Sequence, residues 1–350
     1  MATYDPVKST SVLTPLWKRG QEFLGCELPI MCGAMTWISD PKLVSTVCNM
    51  GGFASLAAGN MPPEMLADTI DETRQLTDRP FGANIIVIAP NYKAHLEICC
   101  QKKMSHIIFA GSIPRQSDVE QAKESGAKVI CFASTASIAQ RMIRFGADAL
   151  VLEGSEAGGH IGHVSTIVLL QDILFEYADE LPIFVAGGIA HGGMMGHLLM
   201  MGAAGAQLGT RFVVAEECQA HDNFKQAFIK ARSREAISTP QYSAKLPVVA
   251  VRALKNQAMD SFGDLQMDLL KKLDQGSISR QEAQFKVEEY WIGSLRDGAV
   301  DGNVTSGSLM AGQSVGLLAK VQPMREVLQQ LVDEASQAVS QACQRSKAAG

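Results

Sequence analysis

The sequence predicts an α/β fold, a (β/α)8 TIM barrel with a helical cap or lid appended at its C-terminal side. Short apolar, β-rich runs alternate with amphipathic helical stretches from residue 28 to about residue 232. Eight such runs occur, spaced roughly 20–30 residues apart, the length of one strand-and-helix unit. The 350-residue length, with 47% hydrophobic residues, is enough to bury a core of that size.

The predicted strands cover residues 28–32, 53–57, 81–87, 106–110, 128–132, 149–153, 182–186 and 206–209. Helical patterns lie between them, at 41–50, 63–76, 92–102, 117–125, 137–145 and 194–201. Asp40 before Pro41 places a capping oxygen ahead of a proline suited to the first helical position. Glycines follow the helices, as in Met50-Gly51-Gly52, Ser125-Gly126, Phe145-Gly146 and Met201-Gly202. An open doubly wound sheet is the competing layout, but no Gly-x-Gly-x-x-Gly follows the first strand.

Past residue 232 the rhythm changes. Residues 238–256 read as a loop, with Pro240, Pro247 and the basic pair Arg252 and Lys255. Residues 260–295 read as charged helix, 302–316 are glycine-rich, and a last amphipathic helix spans about 322–342. The expected organisation is an N-terminal extension (1–27), the barrel (28–232), and a lid loop with a helical substrate cap packing on it (233–345). A separate all-helical domain at the C-terminal end would have a thin core.

Composition excludes several classes. A net charge of -5 and the absence of a basic run argue against nucleic acid as a partner. No window has the roughly 18 uninterrupted apolar residues of a membrane span. Residues 1–20 are polar, with Lys8, Lys18 and Arg19, and hold no apolar signal core. Eight cysteines stand without a Cys-x-x-Cys pair, which suits buried thiols in a reducing cytoplasm.

Chemistry concentrates at the strand ends, where a barrel builds its active site. The run Glu153-Gly154-Ser155-Glu156-Ala157-Gly158-Gly159-His160-Ile161-Gly162 follows the apolar strand ending at Leu152. Gly158 and Gly159 let backbone approach a ligand, and His160 can move a proton near neutral pH. The bland alternative is a turn with a solvated histidine. Strand seven ends in Gly187-Gly188 and strand eight in Gly209-Thr210, the two places where barrels bind phosphate. Bare backbone N–H groups with a threonine hydroxyl make an anion cradle there. Ala34 and Met35 end strand one, small enough around Gly33 for a flat ring to lie on backbone. Asn84 and Gln207 are polar residues inside strands three and eight, which calls for a polar network or a bound polar ligand. These positions together point to a flat, phosphate-bearing cofactor. His160 and His163 have no cysteine or carboxylate at ligand spacing, so no metal site is expected.

The chain resembles the FMN-dependent barrel family that contains the nitronate monooxygenases and the flavin enoyl-acyl-carrier-protein reductase II. The matching pieces are 28–35, 51–53, 79–84, 153–162, 185–189, 207–212, 246–252 and 307–313, spanning residues 28 to about 330. The resemblance implies FMN, with phosphate on Gly187, Gly188, Gly209 and Thr210. It places the isoalloxazine ring near Ala34, Met35, Asn84 and Gly158, with Gln207 nearby, and makes Glu153 and Gly159 part of the same site. His160 becomes the catalytic residue. The 153–162 run and the 307–313 segment are more similar to the enoyl reductase. That implies reduction of a trans-2-enoyl thioester, free or linked to acyl carrier protein in fatty acid biosynthesis, with NADH or NADPH as co-substrate. Arg252 and Lys255 would pair with a phosphate of the thioester arm or of the nicotinamide. The alternatives are oxidation of alkyl nitronates with dioxygen, an acyl-thioester dehydrogenase or isomerase, and a non-catalytic flavin-binding barrel. A monovalent cation and a homodimer stay open. Two segments depart from the family pattern: Cys32-Gly33-Ala34-Met35 stands for Gln-Gly-Gly-Met, and Ala110-Gly111-Ser112-Ile113-Pro114 for Gly-Ala-Gly-Asn-Pro.

Overall fold

The computed structural model describes residues 5–59 and 61–348. Residues 1–4 of the N-terminal extension, Asn60 and the last two residues lie outside the described residues. Helix α1 (Thr14–Leu24) precedes a barrel built from β1 (Ile30–Cys32), α2 (Pro41–Asn49), β2 (Phe53–Ala57), α3 (Pro63–Leu76), β3 (Gly82–Ile86) and α4 (Tyr92–Gln101). It continues through β4 (His106–Ala110), α5 (Gln116–Glu124), β5 (Lys128–Ala133), α6 (Ala136–Arg144) and β6 (Ala149–Glu153). A two-residue strand β7 (Gly159–His160) and a helix interrupted by a π turn, α7 (Thr166–Leu169) and α8 (Phe175–Tyr177), follow. The barrel ends with β8 (Ile183–Ala186), α9 (Gly192–Met200), β9 (Gly205–Leu208) and α10 (Thr210–Val213). All eight predicted barrel strands are present, each within two residues of its expected ends.

The barrel closes in the order β1-β2-β3-β4-β5-β6-β8-β9, all parallel, with Met31 opposite both Phe53 and Gln207. Two layers of apolar side chains make it solid. Met31, Phe53, Ile108, Ile130, Val151 and Phe184 point inward and fill the interior, and Leu24 of α1 joins them from below. The opposite faces of the same strands pack on the surrounding helices. Such two-sided burial is why the strands read as unbroken apolar runs. Asp40 caps α2 as expected, its Oδ1 accepting from the Leu43 N–H at 2.8 Å, with Pro41 in the first turn.

Beyond the barrel come α11 (Asp222–Lys230), β10 (Ala236–Ser238), β11 (Val251–Leu254), α12 (Gln257–Asp274), α13 (Arg280–Ala299) and α14 (Met324–Ala348). The reading of 238–256 as loop throughout is corrected at both ends. β11 runs antiparallel between β10 and β7, pairing Val251 with His160 and Arg252 with Gly159. Helices α12 and α13 gather a small core of their own around Phe262 and Trp291, whose rings lie 4.4 Å apart. Helix α14 packs along α9, on the barrel wall.

Candidate active site

The site lies at the C-terminal ends of the strands. Four loops meet there. After β8, Gly187 and Gly188 take φ of 95° and 73°, a left-handed pair that only glycine adopts without strain. A Cβ at Gly187 would stand 3.0 Å from the Gly154 carbonyl, and one at Gly188 3.3 Å from Glu156 Cβ. The loop after β6 is therefore seated on the loop after β8. Glu156 fastens it further: its carboxylate accepts from the Thr166 N–H at 3.0 Å and from the Thr166 hydroxyl at 2.9 Å.

The glycine-rich 307–313 segment packs on the other side of the same loop. Gln313 donates its N–H to Glu156 O at 2.9 Å, and Gly312 donates its N–H to Thr210 Oγ1 at 3.0 Å. A Cβ at Gly158 would sit 2.5 Å from Gly312 N, so this contact admits no side chain. Gln207 is buried on β9, with its amide against Gly33. Met35 lies over Gly209, and its N–H is held by Ser39 Oγ at 2.9 Å. Asn84 is buried in β3, two strands around from β1. Ala34 follows β1 in the same loop as Met35. The structure thus brings Met35, Gly158, Gly187, Gly188, Gln207, Gly209 and Thr210 to one end of the barrel.

Glu153 closes β6, with burial pushing its carboxyl up to about 8 from the ordinary 4.5. That carboxyl holds its proton to higher pH than an ordinary glutamate, and when protonated it can donate a hydrogen bond as well as accept one.

His160 is fixed by strand pairing rather than left in a mobile turn. Val251 stands opposite it and the Ile161 N–H donates to Ala250 O at 2.9 Å. Its Nε2 lies 3.4 Å from Oε2 of Glu288 on α13, but no described residue completes a hydrogen bond to that nitrogen. His163 is exposed three residues on, beyond the paired stretch.

Arg252 and Lys255, read from sequence as a basic pair in one loop, do not form a pair. Arg252 is 9% exposed on β11, donating from Nε to Ser155 O at 3.0 Å and from Nη1 to Ala236 O at 2.6 Å. Burial lowers its basicity, and nearby Glu156 opposes that. The guanidinium holds the His160 loop to the small sheet. Lys255 is exposed beyond the strand's end. A cavity of about 350 Å³ lies beside this sheet, lined by Ser155, Ile161, His163, Thr239, Gln241 and Arg252 among others.

Sequence reasoning missed Glu288 and Trp37. Trp37, in the loop after β1, takes a left-handed φ of 65° and donates its indole N–H to Ile292 O on α13 at 2.9 Å. A bulky residue in that conformation is strained and worth a functional question. Neither carries a local signal: Glu288 is one acid in a charged helix, and its meaning comes from a contact 128 positions away in sequence (288 − 160).

Among the described residues no group of three or more His, Cys, Asp or Glu side chains could hold a metal ion. Nor, among the described residues, is any helix long and apolar enough to cross a membrane. All eight cysteines are free thiols, and burial raises those of Cys48, Cys99 and Cys131 to about 12.

The family model described as nitronate monooxygenase matches residues 18–95 and 86–334. The chain belongs to the nitronate monooxygenase family. Among solved structures, FabK from Thermotoga maritima is 32% identical, with a TM-score of 0.82 over 93% of this chain and 98% of that one. A (3aS,4S,5R,7aS)-5-hydroxy-7a-methyl-1-oxo-octahydro-1H-indene-4-carboxyl-CoA dehydrogenase from Mycobacterium tuberculosis is 28% identical over 90% of this chain and 94% of its own. A probable nitronate monooxygenase from Staphylococcus aureus is 25% identical over 92% of this chain and 99% of its own. The family's members here are named as monooxygenases and dehydrogenases, and this chain is an enzyme, an oxidoreductase. The resemblance drawn from the motifs is to the same family, and the barrel it implies is the one observed.

Proposed function

We propose that the protein is an FMN-dependent oxidoreductase that uses NADH or NADPH to reduce trans-2-enoyl thioesters. One observation carries the choice of substrate class: the two segments most similar to the enoyl reductase, 153–162 and 307–313, are in direct contact. They meet through the Gln313–Glu156 hydrogen bond and the close approach of Gly158 to Gly312. The 32% identity to FabK supports the same reading.

The residues present fit the cofactor. The left-handed Gly187-Gly188 turn, with Gly209 and Thr210 beside it, offers backbone and a hydroxyl to a phosphate with no Cβ in the way. Met35 and Gln207 lie beside it, where a flat ring would rest, and Asn84, buried on β3, is the further polar group the ring would meet. FMN, when bound, supplies reversible acceptance and delivery of hydride. The chain's own residues do the rest. Reduction of the alkene at its β-carbon leaves negative charge on the thioester oxygen and α-carbon. His160, held by β7, is the group that donates a proton there. The open 238–250 stretch and α12–α13 cover a substrate on a long arm.

The family model's own description favours a second reading, oxidation of an alkyl nitronate by dioxygen, in which His160 sits beside an anionic substrate. Both readings require the chromophore. Purified protein is expected to be yellow and to release FMN rather than FAD, since one phosphate cradle is present and no dinucleotide fingerprint. Under argon, NADH or NADPH should bleach the flavin and crotonyl-thioester should restore its colour. A colourless protein that FMN cannot reconstitute overturns the reading.

A further inference from the structure

We propose that Glu288 is the positioning residue for His160: its carboxylate takes the Nε2–H of the imidazole, fixing the ring's tautomer and leaving Nδ1 as the nitrogen that exchanges a proton. The inference rests on the reading of His160 as the proton donor and adds the group that makes it one.

Three observations support it. Glu288 Oε2 is 3.4 Å from His160 Nε2, and Nε2 is buried with no completed hydrogen bond. An enclosed imidazole nitrogen with one carboxylate just out of reach is unfinished. A charge-assisted N–H···O bond is about 2.7–2.9 Å long, so a movement of roughly 0.5–0.7 Å by the helix or the side chain completes it. Catalytic hydrogen bonds are often long in ligand-free proteins and tighten around substrate.

The second observation is that α13 is built to present this side chain. Its start is fixed by a capping box: Ser279 Oγ accepts from the Glu282 N–H at 3.2 Å, and Glu282 accepts from the Ser279 N–H at 2.7 Å. Val287, next to Glu288, and Trp291 are buried in the α12–α13 core, which sets the helix's rotation.

The third observation is the latch one turn further on. Ile292, four residues from Glu288 and so on the same face, accepts the indole N–H of Trp37 at 2.9 Å. Arg296, another turn along, lies over the Trp37 ring at 6.0 Å. The helix therefore touches both the loop after β1 and the loop after β6.

The other charged groups around the loop are accounted for. Glu156 is spent on Thr166, and Arg252 on Ser155 O and Ala236 O. His163 is exposed beside the neighbouring cavity. On α13, Lys286 and Glu289 line a different groove with Asp268 and Lys272 of α12.

The test uses flavin-loaded protein labelled with 15N-histidine, comparing wild type with Glu288→Gln, Glu288→Ala and Glu288→Asp. Imidazole 15N shifts should report a single Nε2–H tautomer in the wild type, mixed tautomers in Glu288→Ala, and partial recovery in Glu288→Asp. Turnover of the enoyl thioester should fall on the order of 10- to 100-fold in Glu288→Ala with KM within about twofold, as for other groups that orient a working histidine. The alkaline limb of the turnover profile should move to lower pH in Glu288→Gln, where the negative charge is gone and the shape is kept. An unchanged His160 tautomer in Glu288→Ala overturns the inference. If the tautomer responds but His160→Ala retains full turnover, the pairing stands and the catalytic reading of His160 fails. Should Glu288→Ala fold poorly, the isosteric Glu288→Gln pH profile decides alone.

Discussion

Two histidines stand at opposite ends of the barrel and have opposite surroundings. His106 begins β4 at the bottom, 2% exposed, its Nε2 on Phe23 O at 3.0 Å and its ring edge-on to Phe23 and Phe53 at 5.5 and 4.9 Å. Burial holds it neutral, down to about 4 from the ordinary 6.5. His160 lies past β6 at the top, 37% exposed at its side chain, on a two-residue strand with a carboxylate 3.4 Å away. The bottom is closed by α1 and filled with apolar side chains, and burial there disfavours the charged imidazole more than nearby Asp148 favours it. The top is made of loops whose glycines expose backbone. The same residue type is packing material at one end and a proton carrier at the other, because the barrel separates stability from chemistry along its axis.

The comparison breaks most visibly at the top. His160→Ala should lower turnover by about 10²–10⁴-fold while flavin stays bound. Steady-state rates per bound flavin check it, and a small loss would mean that the top histidine is as inert as the bottom one. His106→Ala should do the reverse. Losing its two hydrogen bonds, to Phe23 O and to Ser105 Oγ, and two aromatic contacts in a filled interior should cost about 2–4 kcal/mol of stability, read from denaturant midpoints, with the rate per bound flavin unchanged. His106 also contributes a pH signature. Its folded value is depressed, so its contribution is whole above about 6.5 and is lost as pH falls from there toward about 4.

Glu153 sharpens the contrast with the opposite sign. Its folded value is raised, so the native state binds the extra proton between about 4.5 and about 8. Stability contributed by this group is therefore whole below that window and lost as pH rises through it. Glu153→Gln should flatten that decline when denaturation midpoints are compared across the window. An undiminished decline in the variant would place the responsible group elsewhere. The smallest effect is expected at His163, which is exposed and outside the paired stretch: His163→Ala should change turnover by less than about threefold. Equal losses at His160 and His163 would mean that the active face has been misjudged.

Much of the barrel was legible because each strand is buried on both faces and written as an apolar run, as in Ala149-Leu150-Val151-Leu152. Gly187-Gly188 was legible because the left-handed turn after β8 needs glycine locally. Strand β7 was not. Two residues, Gly159 and His160, have no period, and only Val251 and Arg252 across the sheet make them a strand. Arg252 was misjudged for the same reason. Its neighbours Pro240 and Pro247 suggested loop, while the carbonyls that hold it, Ser155 O and Ala236 O, come from distant parts of the chain. Glu288 and Trp37 gain their meaning from tertiary contacts with His160 and Ile292.

The central claim, reduction of an enoyl thioester at the top of this barrel, is tested most directly by two assays on one preparation. One follows NADH and NADPH consumption with crotonyl-thioester; the other follows oxygen uptake with propyl nitronate and no nicotinamide. The account predicts enoyl-dependent loss of NADH or NADPH in the wild type, strongly reduced in His160→Ala. Fast oxygen uptake with the nitronate, and no enoyl-dependent consumption of either nicotinamide, would contradict it.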